Sequence, residues 1–210
     1  MNRLPREYTR NDGGEASNDG ILFRRRAGIC HRLDKETSGC LLIAKNPKAL
    51  VHALKEFKER RVEKEYLALV HGLVMPKEGT MKLPLARTRF DRERFEVRYS
   101  GKVAETRWKV EKVFQRSGDR DQSPVSLVRL FPKTGRTHQI RVHLSHMGNP
   151  IWSDERYLRK DFLAEDRKQL NHHFLHAEIL RLTDVDGKRI EVCADLPEDE
   201  VKLLSWMSGE

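Results

Sequence analysis

The stretch HRLDKETSGCLLIA, residues 31–44, sets a lone carboxylate, Asp34, between a leucine and a lysine just after His31 and Arg32. Cys40 to Ala44 is a continuous apolar run of strand length, the pattern of a strand covered on both faces. Asp34 is therefore expected in a loop between buried segments. Thr37, Ser38 and Gly39 would shape that loop, glycine being the residue that tolerates a sharp backbone turn.

Downstream, Asn46 is a suitable N-cap and Pro47 a favoured first helical residue, and Leu50, Val51, Leu54 and Phe57 recur at helical spacing. A helix of about three turns is predicted. KEYLALVHG (64–72) reads as a strand closed by Gly72, and Lys82 to Arg98 alternates arginine with apolar residues. Glu105 to Phe114 predicts a strand with Thr106, Trp108 and Val110 on one face, and VSLVRLF (125–131) another. In THQIRVHLSHMG (137–148), Ile140, Leu144 and Met147 mark the apolar face of a short helix. Thr137 is its expected cap and Gly148 its stop. His138, Arg141 and Ser145 fall on a different stripe. FLHAEILRL, the turn DVDG and KRIEVCA make a hairpin, and a last helix runs from about Pro197 to Met207. Strands outnumber helices and hairpin links dominate, so the fold class is α+β, with a mixed, mostly antiparallel sheet flanked by helices.

Composition narrows the partners. The chain has 210 residues, the size of one domain, with 41 Lys and Arg against 32 Asp and Glu, a net charge of +9. A field of that sign concentrates polyanions such as RNA or DNA. Cys30, Cys40 and Cys193 are odd in number and far apart, which fits buried, reduced thiols of a cytoplasmic protein better than disulfides or paired zinc ligands. No run approaches the roughly 18 apolar residues of a membrane helix, and no signal peptide opens the chain, so a soluble, unexported protein is expected. His143, His146, His172, His173 and His176 lack an HExxH arrangement, and no metal is expected. Residues 1–20 are polar and rich in Gly, Asn and Asp, a flexible arm ahead of one catalytic-size domain over 21–210.

HRLDKETSG, KEYLALVHG and KTGRTHQIRVHL, in that order and spacing, resemble the signature motifs of the RluA family of pseudouridine synthases; GNPIWSDERYL and FLHAEILRL resemble two weaker blocks. The likeness covers about residues 27 to 200. It implies the pseudouridine synthase catalytic fold and the isomerisation of uridine to pseudouridine in structured RNA, ribosomal or transfer; the reaction scheme calls for no cofactor, and a monomer is the default expectation. It also implies roles: Asp34 as catalytic aspartate, Arg141 as its partner, Tyr66 against the uracil ring and placed to assist proton removal, and Arg32 helping to displace the target nucleotide. His31, Arg136, His138 and Gln139 join Arg32 as expected substrate contacts.

These residue types suit the reaction. It breaks the N1 to C1′ bond, turns the uracil, joins C5 to C1′ and removes the C5 proton. A carboxylate is a natural nucleophile for a sugar carbon with oxocarbenium character. In a partly desolvated pocket a fixed guanidinium keeps such a group anionic and oriented, which a lysine would do less well. A stacked base must flip out to be reached, at a cost of a few kcal/mol offset by stacking and phosphate contacts. Taken alone, Asp34 could as well make an Asx turn or a surface ion pair with Lys35 or Arg32. A non-catalytic RNA-binding protein that keeps the fold is the alternative; a glycosidase acting on free nucleosides would need a second acid that no motif supplies.

Two departures stand out. The 30 residues before HRLD do not match the strand and lysine-proline segment that family members carry there, so the domain is expected to lack its N-terminal strand and to expose a sheet edge. Ser153 in PIWSD stands where the family usually has glycine; if that position takes a positive φ, serine strains the turn.

Overall fold

The computed structural model describes residues 17–115 and 123–209. In chain order the elements are α1 (Asn18–Arg26), β1 (Ser38–Gly39), α2 (Pro47–Lys58), β2 (Glu63–His71), β3 (Glu78–Lys82), β4 (Leu85–Arg87) and β5 (Phe95–Val97), then β6 (Glu105–Phe114), β7 (Val125–Pro132), α3 (Gln139–His146), α4 (Lys160–Asp166), β8 (Leu175–Thr183), β9 (Arg189–Cys193) and α5 (Glu198–Ser208). Two helices were not expected, α1 and α4. Ser17 caps α1, accepting from the Gly20 amide at 3.2 Å, so the boundary expected at residue 20 falls inside a helix. The rest of the expected arm, residues 1–16, lies outside the described residues.

The chain divides into two compact units. The smaller holds α1, α2 and the segments 27–32, 41–62 and 181–191. Its core is Cys30, Ala44, Leu50 and Ala53, with Leu22, Phe23 and Phe57 packed against it. Asn46 caps α2 as predicted, accepting from the Ala49 amide at 2.8 Å. The buried face centres on Leu50 and Ala53, and Val51 is exposed, a rotation of the face expected from spacing. The apolar run after Gly39 also departs from expectation. Leu41 and Ile43 are 44% and 42% exposed, and the run forms no doubly covered strand. Its backbone instead pairs with residues 28–30, Cys30 donating to Leu42 O and Ala44 to Gly28 O.

The chain forms a seven-stranded sheet of order β1-β8-β2-β7-β6-β3, with β9 on β8, and apart from residues 181–191 its strands belong to the larger unit. β1 and β8 are parallel, whereas β2–β7, β7–β6 and β6–β3 are antiparallel. This is the α+β class predicted. β2 lies inside the sheet, and every residue from Leu67 to His71 is buried, as for a strand covered on both faces. Ala68 and Val70 pack with Trp108, Val128 and Leu130 beneath Ile140 and Leu144 of α3. Leu69, between them on the strand, joins Phe114, Val125, Trp152 and Phe174 in a second core closed by Leu203 and Met207 of α5. Period-two alternation thus puts α3 on one face and α5 on the other. Tyr66, in register with Leu130, belongs to the α3 face. β4 and β5 pair as a separate two-stranded ribbon.

Among the described residues no helix is long and apolar enough to cross a membrane. The three cysteines are free thiols, Cys30 buried but Cys193 exposed, which corrects the expectation that all three are buried.

Candidate active site

Asp34 sits in the loop between Leu33 and β1, turned back by a hydrogen bond from the Thr37 amide to Asp34 O at 3.1 Å. The loop is anchored at its far end. Thr37 Oγ1 lies 2.8 Å from His173 Nε2, and Ser38 and Gly39 pair with His176 and Ala177 of β8. Gly39 has φ 104, and a Cβ there would sit 2.2 Å from Ala177 O, so no side chain fits so close to the neighbouring strand. Buried His173 is held neutral, its pKa lowered to about 4, first by burial and then by the Arg141 charge.

Arg141 comes from α3, whose first six residues are all buried. Ile140, Leu144 and Met147 pack on the sheet core as their spacing predicts, and Arg141, on another side of the helix, is buried as well. The helix entry is not capped by Thr137. His138 occupies the cap position with φ 54, and the Gln139 side chain ties the turn down. Gln139 Oε1 accepts from the Arg136 amide and the Thr134 hydroxyl, while Nε2 donates to Glu105 O and Thr106 Oγ1.

So fixed, the Arg141 guanidinium bridges two carboxylates. One Nη donates to Asp34 Oδ2 at 3.1 Å; Nε and the other Nη donate to Asp154 Oδ2 and Oδ1 at 2.7 and 2.8 Å. Asp154 is fully buried, and its Oδ1 also accepts from the amides of Arg156 and Tyr157. Burial opposes charge on both groups, yet their mutual hydrogen bonds outweigh it: the Arg141 pKa is raised and that of Asp154 lowered. Tyr66 is pushed up to about 12, by burial and then by the negative charge of Asp34, so it is a neutral phenol at working pH.

The model of the RNA pseudouridylate synthase family matches residues 7–146. The chain belongs to that family. It is 41% identical over 184 residues to ribosomal large subunit pseudouridine synthase C of Escherichia coli, covering 81% of this chain and 55% of that one. It is 36% identical over 186 residues to an uncharacterized RNA pseudouridine synthase, YlyB, of Bacillus subtilis, covering 88% and 57%. The chain therefore spans less than two thirds of the length of these curated relatives. Among solved structures, human RNA pseudouridylate synthase domain containing 1 superposes with a TM-score of 0.71 at 34% identity, over 85% of this chain and 73% of that one.

Of the residues singled out from the synthase motifs, Asp34 and Arg141 meet directly, and Tyr66 lies near enough to feel the charge of Asp34. His138 joins them. The Tyr157 hydroxyl accepts from the Phe95 amide at 3.0 Å and lies 3.0 Å from His138 Nδ1. His138 Nε2 lies 4.0 Å from Asp34 Oδ2, and burial followed by the Arg141 charge lowers the His138 pKa. Gln139 spends its amide on the protein itself. His31 does likewise in the smaller unit, where Nε2 accepts from the Leu42 amide at 3.0 Å and the ring lies against Phe57. Arg32 is exposed, and exposed Arg136 donates to Val103 O.

Sequence reasoning missed Asp154, Tyr157, His173 and Lys64. Asp154 and Tyr157 lie in the weaker block WSDERYL, the only signal available for them. Lys64, two residues before Tyr66 and so on the same side of β2, has its pKa lowered to about 8 by burial. The strain expected at Ser153 is present: φ is 62, held by Ser153 Oγ donating to Leu170 O and its amide to Asp166 Oδ2, both at 2.7 Å. The histidines that invite a metal reading bond to protein groups, His143 to Thr106 Oγ1 and Leu83 O, and His176 to Ser38 Oγ and Ala194 O.

Proposed function

We propose that the protein is an RNA pseudouridine synthase that isomerises uridines in structured RNA, with ribosomal RNA the first substrate class to test because curated relatives are named for the large ribosomal subunit. The observation that carries this reading is the Arg141 fork, which holds Asp34 Oδ2 in place against a second, buried carboxylate. Asp34 Oδ1, which has no hydrogen bond among the described residues, is the oxygen left to act at the ribose carbon. His138 Nε2 faces the same carboxylate at 4.0 Å. Tyr66, kept as a phenol, offers a ring face to uracil and a hydroxyl rather than a phenolate.

RNA has a surface to grip beside this site. The ribbon β4–β5 and its connections carry Arg87, Arg89, Arg92, Arg94 and Arg98, together with Phe90 and Tyr99, which are fully exposed. Arginines interleaved with open aromatic rings suit unpaired bases and their phosphates. Arg32 is assigned to displacing the target nucleotide. The reading requires neither metal nor cofactor and places a monomer in the cytoplasm with its RNA.

Tritium release from RNA labelled at uridine C5 tests the proposal. The protein is expected to release tritium, while Asp34→Asn binds the same RNA with unchanged salt dependence but loses about 10⁴-fold or more in rate. RNA binding without release by the unaltered protein would favour the non-catalytic alternative, and equal release by the variant would remove Asp34 from the mechanism.

A further inference from the structure

Glu200 of α5 has no place in that chemistry, yet it is fully buried and aimed at the strand that follows Asp34. Its Oε1 lies 3.3 Å from Ser38 Oγ and 3.8 Å from His172 Nδ1. Its Oε2 has no hydrogen-bond partner among the described residues. An ionised carboxylate with a dry, unbonded oxygen is costly, whereas an acid is far less so.

Counting hydrogens along the contacts decides the form. His176 Nε2 lies 2.9 Å from Ala194 O, which only accepts, so that nitrogen carries a hydrogen. In a neutral ring Nδ1 is then a lone pair, and Ser38 Oγ, 2.8 Å away, gives it its single hydrogen. Ser38 Oγ now offers Glu200 only lone pairs, so the 3.3 Å contact needs a hydrogen on the carboxyl group. Placing a hydrogen on His176 Nδ1 instead reverses both bonds but keeps the total. Either way, the chain from Glu200 through Ser38 to His176 holds one proton more than a carboxylate and a neutral imidazole would.

We infer that Glu200 is a positioning residue: the proton it shares with Ser38 and His176 locks α5 to β1, and so holds the Asp34 loop where it meets Arg141. Ser38 and Gly39 are the loop's anchor on β8, so slack at Ser38 passes to Asp34 within one turn of chain. The groups facing Glu200 are Ser38 of β1, His172 from the segment before β8, and Asp199 of its own helix; His172 in turn faces Asp199 Oδ2 at 3.0 Å and His173 O at 3.2 Å. Burial raises the Glu200 pKa to about 7, against the pull of the neighbouring His172. Because the folded value lies above the ordinary 4.5, the stabilisation is complete below that pH and is lost as pH rises through about 7.

The catalytic part of this inference rests on the synthase reading; the proton lock itself does not. Carbon-13 NMR of glutamate-labelled protein, with the resonance assigned by its absence in Glu200→Gln, is expected to show Glu200 titrating near 7. Hydrogen exchange at the Thr37 and Cys40 amides, corrected for intrinsic rates, is expected to lose about tenfold in protection per pH unit as pH rises from the ordinary 4.5 to about 7, and to level off above that. Glu200→Gln, whose carboxamide donates permanently to Ser38, should keep that protection constant from about pH 4.5 to about pH 8, and its kcat for tritium release should stay flat where the unaltered protein's declines, with KM unmoved. Ser38→Ala severs the same chain without altering the carboxyl, and should give low protection at every pH. Glu200 titrating at its ordinary value, or matching exchange profiles in Glu200→Gln and the unaltered protein, would overturn the lock. Absent tritium release with the NMR and exchange results as expected would sink the synthase reading and leave the lock standing.

Discussion

Arg141 and Arg129 gather carboxylates in similar ways and in different surroundings. Arg129, on β7, reaches Glu111 of β6, Glu65 of β2 and Glu178 of β8 across the open surface of the sheet. Arg141 reaches Asp34 and Asp154 beneath α3. The Arg129 side chain is 23% exposed and its partners 15% to 34%; Arg141 is 6% exposed and Asp154 not at all. Water therefore remains a substitute partner around Arg129, and the cluster ties strands together at little net gain. Around Arg141 the same chemistry becomes obligatory, because removing one charge strands the other in a dry interior. The lesson is that burial, more than the number of partners, turns a salt bridge into a fixed piece of apparatus.

The sharpest way to break this comparison is Asp154→Asn. It is expected to cost about 3–5 kcal/mol in denaturant unfolding and about a hundredfold in tritium release, since Arg141 loses its anchor and Asp34 its alignment. A loss below about 1 kcal/mol would make the two arginines equivalent. A middle-sized effect is expected next door at Ser153. Ser153→Ala keeps the strained backbone but forfeits the hydroxyl bond to Leu170 O, at about 1–2 kcal/mol; Ser153→Gly gives up the same bond and relieves the strain, and should come out near zero. Thermal unfolding of the pair separates the two contributions. The smallest effect belongs to Arg129→Gln, expected within about 1 kcal/mol of the unaltered protein and shrinking further as salt is added.

Asp34, Arg141 and Tyr66 were legible because each sits in a motif whose residue types fit one reaction, and His138 came with its motif. Asp154 was not, since a buried ionic partner leaves no periodicity and the residue looks like any acid in a polar turn. Glu200 was hidden for a related reason. In PEDEVKLLSW it is one of three acids in the first turn of a helix, where a solvated acid favours the helix dipole, and only the packing of α5 on the sheet shows that it faces inward. The α+β class followed from the excess of strands over helices and from the hairpin links, whereas the strand order, which depends on long-range pairing such as β8 beside β2, was not legible. Cys40 to Ala44 misled because apolar content alone does not say whether a partner strand exists, whereas the apolar face of α3 held and only the burial of Arg141 off that face was invisible to spacing.

Asp34 and Arg141 are 107 positions apart in the chain. Bringing together the ends of a segment that long costs about 4 kcal/mol in chain entropy, more than a single partly exposed pairing returns. Their encounter is thus an outcome of strand assembly and never its driving force. In a refolding experiment, the proposed tritium release would recover behind spectroscopic markers of the sheet, which would make that reaction a late-stage clock for folding.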